Sequence, residues 1–175
     1  MGLYYESITK EEEQEYIDMI TKAAPQVFSL CKDIPHPGEE NEVSRQRVYL
    51  YLGRRNEFGK YVNDEVLTLG ELSEEQVMKR KDVTYFETGL RKAYDCAKWG
   101  NSGDPRDRGL FLGAVNVPGT DIVVSCSGFL QEKDELYVLT LLVKAKVITL
   151  DQAVAIANKH NNWLFLDHFW ELFDL

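Results

Sequence analysis

Residues 109–146 read GLFLGAVNVPGTDIVVSCSGFLQEKDELYVLTLLVKAK, and this stretch decides the fold. Phe111 to Val117 reads as a strand. Pro118-Gly119 fits the two central positions of a type II turn, because proline presets φ and glycine accepts a positive φ. Ile122 to Cys126 returns as the partner strand, and Ser127-Gly128 stops it. A helix from about Glu132 to Val147 follows, with Leu136, Leu139, Leu142 and Val143 at helical spacing and further apolar residues between them. A helix apolar on most sides is buried against more than one layer.

Working outward, residues 9–31 predict a helix. Thr9 and Glu12 form a capping box, and Glu11, Glu12 and Glu13 sit where the helix dipole favours negative charge. Tyr16, Ile20, Ala23, Val27 and Cys31 supply an apolar face, and Pro25 predicts a kink or break. Residues 32–44 read as a connector rather than a disordered lid, broken by Pro35, Pro37 and Gly38. In Arg47–Leu52 the aliphatic Val48, Leu50 and Leu52 alternate with Tyr49 and Tyr51, the period of a strand with two distinct faces. Asn56-Glu57 turns the chain into Phe58–Val62, with Glu65–Leu69 as its continuation or a third short strand. The tyrosine row reads as a sheet face under a helix, or as a ligand or subunit surface.

Ser73 with Gln76 is a second capping box, opening a helix at about Glu74. The weakly helical Asp82-Val83-Thr84 allows two pieces, the second with Phe86, Leu90, Ala93, Tyr94 and Ala97 as its stripe. Gly100, Asn101 and Gly103 end it. Thr149 with Gln152 is a third capping box, and Lys159–Asn162 breaks the helix it opens. Trp163–Leu175 is rich in aromatics and must dock, on its own domain or on a neighbouring subunit. The expected architecture is α+β, an antiparallel sheet of about four to five strands with helices packed on it plus a C-terminal helical extension. It forms a single domain over 1–175: N-terminal helix and loop 1–44, core 45–147, extension 148–175.

The chain has 175 residues, 44% of them hydrophobic, enough for a core that needs no disulfide or metal. Cys31, Cys96 and Cys126 are three in number and widely spaced, so neither a disulfide framework nor a zinc site is suggested. Met1–Lys10 has no apolar core, so no signal peptide is expected, and no apolar run reaches the length of a membrane span. A reduced, cytoplasmic protein is expected, without membrane attachment. The formal charge is −9, from 20 basic and 29 acidic side chains, which argues against nucleic acid as a partner.

Four segments carry a resemblance. Gly113–Val117, then Ile122–Gly128 ending in Ser-Gly, then Asp134-Glu135 in the first turns of a helix resemble the GlcG/HbpS-like (haem-degrading-like) family, as does Gly89–Tyr94 with its Lys92-Ala93 step. The resemblance covers about residues 45–147. It implies a profilin-like α+β domain that is often oligomeric, and a link to haem or corrinoid-related groups.

The residues themselves offer one candidate site. Ser125, Cys126, Ser127, Gly128 and Phe129 lie where a strand gives way to a helix, and the N–H groups of Gly128 and Phe129 could face an anion. Arg106 and Arg108 could grip a carboxylate or phosphate. The alternative is that Gly128 serves only the sharp corner and Cys126 is a small buried apolar residue. Cysteine catalysis would need a histidine base, and only His36, His160 and His168 exist. His168 and Glu171, three apart, read as a surface pair or two metal ligands, too few for structural zinc. With no P-loop, GxGxxG, GxSxG or HExxH, the leading expectation is a small-ligand-binding or oligomeric assembly module, a homo-oligomer without evident catalytic machinery. An enzyme acting on a small anionic substrate at Ser127-Gly128 and a haem or tetrapyrrole binder are the alternatives.

Overall fold

The computed structural model describes residues 8–37, 47–72, 74–100 and 111–174. Helix α1 (Lys10–Cys31) leads into a β-hairpin, β1 (Arg47–Arg55) and β2 (Tyr61–Gly70). Helices α2 (Glu74–Met78) and α3 (Lys81–Trp99) follow, then a second hairpin, β3 (Ala114–Asn116) and β4 (Ile122–Ser127). Helices α4 (Gln131–Lys144), α5 (Leu150–Lys159) and α6 (Trp163–Leu172) complete the chain. The four strands form one antiparallel sheet in the order β2-β1-β4-β3. The α+β architecture with helices on an antiparallel sheet is thus as expected from the sequence.

Strand periodicity builds two cores on the two sheet faces. Val48, Leu50 and Leu52 of β1 join Ile122, Val124 and Cys126 of β4 under α1, α4, α5 and α6. Tyr51 and Val123 point the other way, onto Ala93, Cys96 and Ala97 of α3. Every residue of β4 is buried because both of its faces are covered. The tyrosine row is therefore a sheet face under a helix. Tyr51 is fully buried and donates its hydroxyl to the Phe86 carbonyl at 2.6 Å.

Turn chemistry fixes the second hairpin. Gly119 has φ +76°, and the Thr120 N–H donates to the Val117 carbonyl at 3.1 Å, closing the expected turn. The strand expected over 111–117 is shorter, Ala114–Asn116. Its first residues leave the ladder: the Leu112 N–H donates to Gln131 Oε1 at 3.2 Å. At the corner Gly128 has φ +145°, and a Cβ there would run into the Arg47 backbone, so the glycine is required both by conformation and by the close approach of β1.

Several expectations are corrected. Pro25 neither ends nor splits α1. It lies on the exposed side of the helix. The buried face of α1 is Ile17, Ile20, Ala24, Val27, Phe28 and Cys31, with Tyr16 and Ala23 at its margin. Likewise α3 buries Tyr85, Lys92, Ala93, Cys96 and Ala97, while Phe86 and Tyr94 are exposed. The return strand begins at Tyr61, since residues 58–60 lie in the turn, and 61–62 and 65–69 belong to one strand, whose register shifts opposite Leu52 and Gly53. The capping boxes divide three ways. At Thr149–Gln152 both reciprocal bonds form. At Thr9 the side chain accepts from the Glu12 N–H at 3.1 Å. The third rests on Ser73, which lies outside the described residues.

The C-terminal segment docks on its own chain: Leu164, Phe165 and Leu172 are buried in the larger core, against α4 and α5. Trp163 and Trp170 remain substantially exposed. No helix among the described residues is long and apolar enough to cross a membrane.

Helix α3 lies so close to the sheet that Gly89 touches β1 and β4. Ser125 Oγ donates to the Gly89 carbonyl at 2.8 Å, and a Cβ on Gly89 would overlap the Tyr51 ring. Gly89→Ala should therefore destabilise the protein by roughly 1–3 kcal/mol, although alanine is the better helix former by about 1 kcal/mol. Urea unfolding checks this; a stabilised variant would mean that α3 sits farther from the sheet.

Candidate functional site

Helix α4 enters the core with three consecutive charged residues, Lys133, Asp134 and Glu135, all buried. Successive helical residues diverge by about 100°, so each meets a different neighbour. Lys133 Nζ donates to the Lys32 carbonyl at 2.8 Å and lies 4.7 Å from the centre of the Phe129 ring. Asp134 faces α3 and β4. Glu135 faces the end of α5.

The Asp134 contacts define the corner singled out in the sequence. Lys92 Nζ lies 2.7 Å from Asp134 Oδ2 and donates also to the Cys126 carbonyl at 3.0 Å. Asp134 Oδ1 accepts the Phe129 N–H at 2.9 Å and the Cys126 thiol at 3.5 Å. The anion at the Phe129 amide is thus the chain's own carboxylate. Ser125, Cys126, Ser127 and Phe129 are all buried. Burial, followed by the Asp134 charge, pushes the Cys126 thiol well above its ordinary value, the opposite of what an activated nucleophile needs. Arg106 and Arg108 lie outside the described residues. Burial holds Asp134 up to about 6 against the pull of Lys92, so the pair is ionic at neutral pH.

The second carboxylate builds a different site. Glu135 is fully buried. Its Oε2 lies 2.6 Å from His160 Nδ1, and its Oε1 accepts from Asn162 Nδ2 at 3.1 Å. Asn162 Nδ2 donates also to the Glu132 carbonyl at 3.0 Å, and its Oδ1 caps α6 by accepting the Phe165 N–H at 3.2 Å. Both ends of the Asn162 amide are thus fixed, and with them the helix break at residues 160–162. With Nδ1 engaged, Nε2 is the ring nitrogen left to His160, and it has no hydrogen-bond partner among the described residues.

His160 lines a cavity of about 220 Å³ beside β3, the last strand in the order of the sheet. Among the described residues it is lined by Ala114, Val115 and Asn116 of β3, by Pro118, by Gly100 at the end of α3, and by Ile156, Lys159 and His160 at the end of α5. The ladder bonds Cys126 N–H to Gly113 carbonyl and Val117 N–H to Ile122 carbonyl turn residues 113 and 117 toward β4. By alternation the backbone N–H and carbonyl of Asn116 face outward. The Asn116 side chain stays local, donating to the Thr120 and Ile122 carbonyls. A wider depression of about 320 Å³ near Glu13, Arg55, Thr120 and Asp121 is a weaker candidate because its charges are engaged with each other. Arg55 pairs with Asp121 at 3.4 Å, and Glu13 accepts the Asp121 N–H at 3.0 Å.

Sequence reasoning named His160 without a partner and named Asp134-Glu135 without roles. The available signal was three charges in the opening turns of a helix too apolar to have a wet face. His36 lies 3.1 Å from Glu132, and His168 Nδ1 lies 3.7 Å from Glu171. Among the described residues no three histidine, cysteine or acidic side chains converge as a metal site. No protein-family model, curated protein or solved structure matches this chain.

Removing one member of the Lys92–Asp134 pair strands the other charge in the core. Lys92→Met should cost roughly 3–5 kcal/mol, and adding Asp134→Leu should recover most of it. Because the folded state holds the Asp134 proton up to about 6, above the unfolded value of about 3.9, this carboxyl favours folding below pH 4. Its contribution is lost as pH rises through 6. Denaturation from pH 4 to 7 should show wild type losing stability relative to the double variant; a gap independent of pH would contradict this. The three thiols are buried, and desolvation raises Cys31 and Cys96 to about 12. A thiol reagent at pH 8 should label none of them in the native protein and all three in urea.

Proposed function

We propose that this protein is a small-ligand-binding module and that the sheet-edge cavity beside His160 is where the ligand sits. One observation carries the reading: a histidine fixed from behind by a fully buried carboxylate lines a cavity, with its second ring nitrogen uncommitted among the described residues. Burying Glu135 is costly unless it is paired and hydrogen-bonded. A pairing that also fixes a ring at a cavity wall suits a binding role, because a preorganised polar group loses little freedom when the ligand arrives. Apolar walls with a few convergent polar groups are the usual make-up of small-molecule sites. The order of helix, hairpin, helix, hairpin and helix, with Asp134-Glu135 opening α4, accords with the GlcG/HbpS-like resemblance, which we retain as the proposed kinship. The docking of α6 within its own chain makes ligand binding the better supported reading than assembly through the aromatic tail.

NMR titration with butyrate, butyramide and butylamine tests the reading. At least one of the three should shift the amides of Val115, Asn116, Ile156 and Lys159 saturably, and the response should vanish in Ile156→Trp, which fills the cavity. Absence of any saturable shift, or shifts indifferent to Ile156→Trp, would contradict the proposal.

A further inference from the structure

The charge of the cavity narrows its ligand. The chain as a whole is acidic, at −9. Yet among the described residues the two lining side chains that can carry charge are Lys159 and His160, and none is a carboxylate. The nearest acid described above, Glu135, is fully buried and engaged by His160 and Asn162. Three groups here can donate: the Lys159 ammonium, the outward backbone N–H of Asn116, which sits beside its outward carbonyl, and Nε2–H of His160 when the ring is protonated. In a protonated ring Nδ1–H stays with Glu135, so the other proton lies on Nε2. The same lining carries aliphatic surface from Val115, Pro118 and Ile156. Cationic donors and hydrocarbon in one small cavity match an amphipathic anion rather than a bare inorganic ion.

We infer that the cavity takes a short-chain monocarboxylate, its carboxylate held by Lys159, His160 and the Asn116 N–H and its chain laid against Val115, Pro118 and Ile156. The inference rests on the reading of this cavity as the ligand site. Glu135 is a positioning residue here: it orients the ring and offsets the charge of a protonated His160, without touching the ligand. The β3 edge contributes because an edge strand keeps an outward N–H, and this one opens into an apolar recess rather than bulk water.

The test uses the intact protein, with Kd measured by NMR for acetate, propionate, butyrate and butyramide, in wild type and in Lys159→Met. Lys159 is exposed, so that variant should fold. Each added methylene should tighten carboxylate binding about three- to fourfold, as expected for burial of one CH₂. Butyramide, of the same shape without the charge, should bind about tenfold more weakly than butyrate. Lys159→Met should weaken butyrate several-fold and leave butyramide unchanged. Butyramide or butylamine binding as tightly as butyrate would overturn the carboxylate assignment while leaving the ligand site in place. Equal affinity from acetate to butyrate, or no effect of Lys159→Met on butyrate, would overturn it too. Failure of all the probes to bind would remove both proposals.

Discussion

The structure depends on how three adjacent charges are accommodated where α4 enters the core. Lys133, Asp134 and Glu135 lie in a helix flanked by α1, the sheet, α5 and α6. No face of that helical turn is open to water, so each charge must find a partner inside the protein or stay out of the core. The partners come from a carbonyl after α1, from Lys92 on α3 across the sheet, and from His160 at the end of α5. Apolar packing would tolerate α4 sliding or turning by a residue. These contacts do not, because a shift of 100° would strand three charges at once. Here the buried polar groups specify register, whatever their net contribution to stability.

The same arrangement separates two regions that look alike in sequence. Asp134 and Glu135 are neighbours, yet one closes a site and the other opens one. Asp134 turns toward the Ser-Gly corner and takes the Phe129 amide and the Lys92 ammonium, so the corner is internally neutralised. Glu135 turns toward the break between α5 and α6 and fixes a histidine at a cavity wall. A carboxylate hydrogen-bonded to the rear nitrogen of an imidazole sets which ring atom faces a ligand. The chemistry available to this chain therefore gathers at the sheet edge.

Local signals read well wherever local forces decide. Pro118-Gly119, the Thr149–Gln152 capping box and the alternation of Val48 to Leu52 each specify their own geometry, and each is present. The helix faces are read correctly at Ile20, Val27, Cys31, Ala93 and Ala97, which are buried, and missed at single positions. Ile17 and Ala24 turn inward where Tyr16 and Ala23 are expected, and Phe86 and Tyr94 are exposed, because only the tertiary partner decides where the edge of a stripe falls. Lys92 illustrates the limit: charge places it at the surface in any reading of α3 alone. It is buried because Asp134, 42 residues later, waits across the sheet. His160 and Glu135 are 25 residues apart in sequence, at no spacing that any motif encodes. The strand–helix corner was legible as a corner, but which carboxylate would occupy its amide was not.

The pairing of Glu135 with His160 joins the register of α4 to the proposed ligand site, and it can be observed directly. Nitrogen-15 NMR of the His160 ring in the folded protein reads the protonation of each nitrogen and the exchange of its proton with water. The pairing predicts a proton on Nδ1 that exchanges slowly and is shared with Glu135, with Nε2 as the atom that responds to solvent. An unprotonated Nδ1, or an Nδ1 proton exchanging as fast as that of an exposed imidazole, would contradict the pairing and with it the site.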